Sequence, residues 1–150
     1  MSSSLVEEVR NAVSSGRTRD EILQRVCRLI YERVPRCDWV GFYLVNPSKK
    51  DELVLGPFVG EPTEHVRIPF GLGVCGSAAA AKKTVVVDDV SVESNYLSCS
   101  PNVKSEIVVP VMKDGEVVGE LDIDSHTPAV FGEQERRLFE DICELVASLF

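Results

Sequence analysis

The segment SEIVVPVMKDGEVVGELDIDS, residues 105–125, restricts the possible folds of this chain more than any other. Two runs rich in β-branched and aliphatic residues flank Asp114-Gly115, the composition of a β-hairpin. Successive side chains on a strand alternate faces, so the acidic residues of GELDIDS fall opposite in orientation to Leu121 and Ile123. A two-residue turn at Asp114-Gly115 sets Ile107 opposite Asp122 and Val109 opposite Glu120, mixing apolar and acidic groups on one face. A three-residue loop, Lys113-Asp114-Gly115 with a left-handed Gly115 as a bulge, instead gathers Ile107, Val109, Val111, Val117, Leu121 and Ile123 on one apolar face. Burial selects the second register, because a one-residue slip flips every side chain. Glu106 is then expected opposite Asp122, with Asp124 two residues along and Glu120 on the other side.

Carboxylates at such range repel, and at least one is expected to hold its proton to higher pH than a free side chain. A carboxylic acid kept neutral near pH 7 can give a proton or a hydrogen bond to a ligand. Its ionised neighbours attract an ammonium group. The alternative is a solvated acidic face, and spacing alone does not choose between the two.

The chain has 150 residues, enough for one domain with one core. A net charge of −8 argues against nucleic acid as a partner. No apolar run approaches the roughly 20 residues of a membrane span, and the first ten residues lack a signal-peptide core. The expected location is the cytoplasm, with no membrane partner. The cysteines (Cys27, Cys37, Cys75, Cys99, Cys143) form no C-x-x-C pair. A zinc site from Cys75, Cys99, His65 and His126 lacks the usual ligand spacings, so no metal and no cofactor is expected.

Elsewhere the chain alternates helical and extended patterns. Ser4 with Glu7 predicts a capped first helix ending near Gly16, and Thr18 with Glu21 a second that stops before Pro35. Cys27 in that helix, four residues after Leu23, reads as a small buried hydrophobe. DWVGFYLV reads as a strand with Val40, Phe42 and Leu44 on one face and Trp39, Gly41 and Tyr43 on the other. ELVLGPFVG, HVRIPF and TVVVDDV read as further strands, with an Ala-rich helix from about residue 76 and an irregular loop over 89–104. The last 19 residues, GEQERRLFEDICELVASLF, read as an amphipathic helix with Cys143 on its apolar side. Terminal helices around mostly antiparallel strands predict an α+β fold, the helices gathered on one face of the sheet.

GLGVCG, residues 71–76, spells G-x-G-x-x-G, yet the dinucleotide fingerprint needs a first βα turn and an acidic residue ending a second parallel strand. Neither context is present. Cys75 instead stands just before a helix start, where unpaired N–H groups and the helix dipole favour a thiolate. Cys99 lies in a polar loop that returns over a short connection to Glu106. Two loop thiols beside a proton-donating carboxyl suit two-electron reduction of a substrate: one sulfur attacks, the carboxyl protonates the leaving oxygen, and the second sulfur closes a disulfide. Two unreactive thiols are the alternative reading.

DWVGFYL, LVLGPFVG, VRIPFGLGVCGSAA, VVVDDV, SEIVVPV and GELDIDS, in that order, resemble the free methionine-R-sulfoxide reductases. These are small, usually dimeric cytoplasmic enzymes of GAF fold. The resemblance implies a central, mostly antiparallel sheet, with terminal helices on one face and loops plus a short helix over a ligand pocket on the other. It implies reduction of free methionine-(R)-sulfoxide to methionine, Cys99 attacking and Cys75 resolving, with thioredoxin reducing the disulfide. It places Glu106, Asp122 and Asp124 at the substrate, Trp39 against the S-methyl group and Tyr43 beside it, and it implies a homodimer. Many members carry a third cysteine ten residues before the GVCG cysteine; here that position is His65, so resolution falls to Cys75. The loop around Cys99 reads SNYLSCS where the family commonly reads PGHIACD. The competing readings are a non-catalytic GAF module that binds a small molecule, and a redox switch using Cys75 and Cys99 without turnover.

Overall fold

The Thr18–Glu21 pair closes a capping box: the Glu21 N–H donates to Thr18 Oγ1 and the Thr18 N–H to Glu21 Oε1, both at 3.2 Å. The helix it starts, α2 (Arg19–Arg33), ends at Val34, which is extended ahead of Pro35, as the proline ring requires. The computed structural model describes residues 2–97 and 101–150. Before α2 lies α1 (Ser2–Val13), which already includes Ser4 and so begins ahead of the expected cap. The chain continues through β1 (Trp39–Asn46), β2 (Lys49–Val59), β3 (Arg67–Pro69), α3 (Gly73–Ala81) and β4 (Val85–Val87). A short 3₁₀ turn at Val90–Val92 interrupts the loop before β5 (Ser105–Lys113), β6 (Glu116–Ser125) and α4 (Glu133–Val146). Among the described residues, no helix is long and apolar enough to cross a membrane.

The six strands form one sheet in the order β3-β2-β1-β6-β5-β4, every neighbouring pair antiparallel. On one face α2 covers β1 and β2, α4 covers β5 and β6, and α1 bridges the two helices. Val40, Phe42, Ile107, Val109, Val111, Leu121 and Ile123 meet the apolar sides of these helices there, with Cys27 and Cys143 inside the same core. On the other face α3 packs over β5 and β6, in a second cluster with Trp39, Tyr43, Leu53, Ile68 and Val108. The α+β layout is the expected one, and the parity of β1 sorts its side chains between the faces as the sequence predicts.

The hairpin reaches its register by another route than the expected three-residue bulge. Asp114 and Gly115 both take positive φ, 54° and 80°, the two-residue turn whose twist suits a hairpin. A register shift between Val111 and Met112 then inserts one extra residue into β6. Parity is restored, but each partner moves: Glu106 faces Asp124, Val108 faces Asp122 and Pro110 faces Glu120. Val117, below the bulge, joins the second cluster rather than the helix-covered face.

At Gly115 an added Cβ would meet nothing within 4 Å, so only its left-handed backbone resists substitution. Gly115→Ala should therefore cost about 1–2 kcal/mol, seen as a lower urea midpoint at unchanged slope. No loss of stability would mean that the turn does not hold this conformation.

Candidate active site

Strand β6 carries Glu120, Asp122 and Asp124 on one face in the middle of the sheet. Tyr43, Gly41 and Trp39 of β1 lie beside them on one side, and Pro110, Val108 and Glu106 of β5 on the other. All four carboxyls are buried, none more than 4% exposed. Among the described residues no lysine or arginine is buried to balance them. Both oxygens of Glu120 and Asp124, and Oδ1 of Asp122, meet no fixed donor.

Loss of water pushes the carboxyls of Glu120, Asp122 and Asp124 above their ordinary range, and the Asp122 charge raises Glu120 and Asp124 further. Glu106 lies within reach of Asp122 and Asp124, a contact that attracts only when one partner carries a proton. Asp122 also accepts the Cys75 thiol, Sγ to Oδ2 at 3.3 Å. Asp122 is thus the member of the cluster in reach of both Cys75 and Glu106. The acidic face is buried rather than solvated.

Cys75 sits inside the first turn of α3, which starts at Gly73 and not near residue 76. The glycines of GLGVCG serve this turn: Gly73 takes φ 68°, and a Cβ on Gly76 would come within 2.5 Å of the Pro69 carbonyl. The helix start does not make Cys75 a thiolate. Burial, and then the charges of Asp122, Glu120 and Glu106, hold its thiol well above the usual range, overriding the partial charge of the helix end. Cys27, Cys37 and Cys143 are buried free thiols, and burial likewise raises each.

The remaining walls are aromatic and aliphatic. The Trp39 indole stacks on Phe58 at 5.5 Å and donates Nε1–H to the Glu61 carbonyl at 2.8 Å. A Cβ at Gly41 would lie 2.4 Å from the Trp39 ring, so that glycine leaves the indole its place. The Tyr43 hydroxyl donates to the His65 carbonyl at 2.8 Å. Tyr43, His65, Ile68, Gly73, Val74, Cys75, Leu97, Glu106 and Asp122 enclose a cavity of ≈ 10 Å³, at the lower limit for one water molecule.

The fold thus brings together Cys75, Glu106, Asp122 and Tyr43 around one cavity, with Asp124 and Trp39 next in the same row. Trp39 does not line the cavity itself. Cys99 lies outside the described residues. His65 lines the cavity, but His126 does not; its N–H donates to Asp38 Oδ2 at 2.7 Å and its ring is half exposed. Among the described residues, His126 is thus not one of those that line the cavity with His65 and Cys75. Asn95 had no signal in the sequence. Its Oδ1 accepts the Gly73 N–H at 2.9 Å, while Nδ2 donates to Gly71 O at 3.0 Å and Ser77 Oγ at 2.9 Å. One amide side chain thereby ties the loop before Leu97 to the turn that presents Cys75. Only the fold makes those partners neighbours.

The family model described as "GAF domain" matches residues 16–150. Protein YtsP of Bacillus subtilis is 41% identical over 116 residues, 77% of this chain and 70% of that protein. The free methionine-R-sulfoxide reductase of Escherichia coli is 39% identical over 140 residues, 93% of this chain and 81% of that protein. The crystal structure of free methionine-R-sulfoxide reductase from Neisseria meningitidis in complex with its substrate superimposes with a TM-score of 0.94 at 36% identity, covering 100% of this chain and 88% of that one.

Because burial raises these carboxyls above their values in the unfolded chain, folding takes up protons. Their contribution to stability is complete below about pH 4, the unfolded carboxyl range, and is lost as pH rises through the raised values. Glu120→Gln removes one such group. In metal-free buffer it should gain stability relative to wild type as pH rises from 5 to 8, by up to about 1.4 kcal/mol per pH unit. Urea unfolding at the two pH values checks this; a difference independent of pH would mean that Glu120 is ionised in the fold. Asn95→Ala should cost about 1–3 kcal/mol, the sum of partly exposed hydrogen bonds worth about 1 kcal/mol each, measured in the same way.

Proposed function

This chain belongs to the GAF-domain family of free methionine-R-sulfoxide reductases, and we propose that it reduces free L-methionine-(R)-sulfoxide to methionine with two of its own thiols. The observation that carries this reading is the buried carboxyl cluster, hydrogen-bonded through Asp122 to Cys75 at the wall of a small cavity. Reducing a sulfoxide requires two electrons and two protons. Two thiols supply the electrons by becoming a disulfide, and the oxygen leaves as water.

In the proposed sequence the Cys99 sulfur attacks the sulfoxide sulfur while Glu106, within the carboxyl cluster, delivers a proton to the oxygen. The substrate S–O bond breaks as its hydroxyl passes to the Cys99 sulfur, methionine departs, Cys99 is left as a sulfenic acid, and the Cys99 thiol proton restores the acid. Cys75 then attacks that sulfur, gives its proton to the cluster, and expels hydroxide, which leaves as water; the product is a Cys75–Cys99 disulfide. A neutral, buried thiol is a weak first nucleophile, which favours resolution as the role of Cys75. Thioredoxin is the proposed reductant of the disulfide. The substrate ammonium is assigned to the carboxyl cluster of Glu106, Asp122 and Asp124, and its apolar end to Trp39 and Tyr43. A cavity with room for one water does not hold methionine sulfoxide, so binding requires the stretch through Leu97 to move away from Gly73. We further propose a single GAF domain over residues 1–150, acting as a cytoplasmic homodimer.

The deciding measurement is methionine formation from the separate R and S free sulfoxides, with thioredoxin or a small dithiol as reductant. Turnover of the R form alone is expected. No turnover of either, with an oxidant still forming a Cys75–Cys99 disulfide, would identify a redox-responsive binding module instead. Cys99→Ser should abolish turnover, whereas Cys75→Ser should retain a single turnover and lose recycling. Glu106→Gln should lower kcat by about 10²–10⁴-fold, the usual contribution of a general acid; an unchanged rate would remove this carboxyl from the chemistry.

A further inference from the structure

The ligand atoms of Cys75, Glu106 and Asp122 all lie within 4.8 Å of one another, and all three residues are buried. We propose that this trio is a binding site for a zinc-class divalent cation, held by the Cys75 sulfur and one oxygen each from Glu106 and Asp122. The geometry is close to what such an ion needs. Around a tetrahedral centre with bonds of about 2.0–2.3 Å, neighbouring ligand atoms sit roughly 3.3–3.7 Å apart. Cys75 Sγ and Asp122 Oδ2 are already 3.3 Å apart, and the Glu106 ligand atom lies within 4.8 Å of both its partners.

A second observation points to a positively charged occupant. Glu120 and Asp124, on the same face of β6 to either side of Asp122, bury four carboxyl oxygens that meet no fixed donor, and Asp122 Oδ1 is a fifth. Among the described residues no buried lysine or arginine answers them. The cavity at the trio, ≈ 10 Å³, has the size of one water or one ion. One sulfur among oxygens selects zinc, cadmium or cobalt over magnesium and calcium, which prefer all-oxygen shells. Binding exchanges protons for metal: the Cys75 S–H bond breaks, a sulfur–metal bond forms, and the proton leaves to solvent. No electrons move. The ion takes the resolving thiol and two of the carboxyls assigned to the substrate ammonium, so metal and substrate exclude one another. The binding claim stands on this geometry and does not need the reductase reading.

The test uses the full-length reduced protein, stripped of metal, titrated with Zn²⁺ alone against a chromogenic chelator. One Zn²⁺ per chain at low-micromolar affinity or better is expected. Cys75→Ser and Asp122→Asn should each weaken it about ten-fold or more, within the range by which altered metal sites lose affinity, while His126→Ala leaves it unchanged. Binding that survives both site variants, or that falls with His126→Ala, overturns the proposal, as does the absence of stoichiometric binding. Co²⁺ loading of the wild type gives a check independent of variant folding: a sulfur-to-metal charge-transfer band is expected, and cobalt bound without it excludes Cys75 as a ligand.

Discussion

Four carboxyls, Glu106, Glu120, Asp122 and Asp124, are buried at the centre of the sheet with no lysine or arginine buried beside them among the described residues. A lone ionised carboxylate in such a place is unstable by several kcal/mol, so the groups share protons rather than ionise together. That constraint shapes the surroundings. The acids must sit on the face that α3 covers, because the opposite face is the apolar bed of α1, α2 and α4.

The same protons set the chemistry of Cys75. A helix start next to a solvent-exposed thiol lowers its pKa; here the thiol is buried against acids, and the balance reverses. Cys75 and Asp122 form a proton-sharing pair, in which a charge developing on either one is opposed by its neighbours. Such a pair gives up its proton readily only when a cation takes the proton's place or when chemistry removes negative charge nearby. The proposed resolving step and the proposed cation site therefore draw on one property, a proton reservoir without a fixed counter-ion.

Access follows from the loop rather than the sheet. Asn95 joins the segment before Leu97 to Gly71, Gly73 and Ser77, and the Tyr43 and Trp39 polar tips are fixed to the 61–65 segment. Each tie is a hydrogen bond of modest net strength, worth about 1 kcal/mol. Opening the cavity thus demands far less than disturbing the strands beneath it, which places motion at the covering loops and rigidity at the carboxyls.

Strand parity, helix caps and turn residues, all local properties, were legible in the sequence. The alternation of GELDIDS assigned Glu120, Asp122 and Asp124 to one face, the capping box at Thr18 located α2, and Val40, Phe42 and Leu44 separated from Trp39 and Tyr43. The ordered motifs also identified the family. Partner and environment were decided elsewhere. A bulge below Val111 has no local signature strong enough to distinguish it from a wider loop, so the strand partner of Glu106 is Asp124 instead of Asp122. Alternation tells which side chains share a face but not what covers that face. The burial of the acids, the reversal at Cys75 and the bridging by Asn95 all depend on α3 and its loops closing over the sheet. Desolvation is a property of the assembled neighbourhood, and only the tertiary structure supplies it.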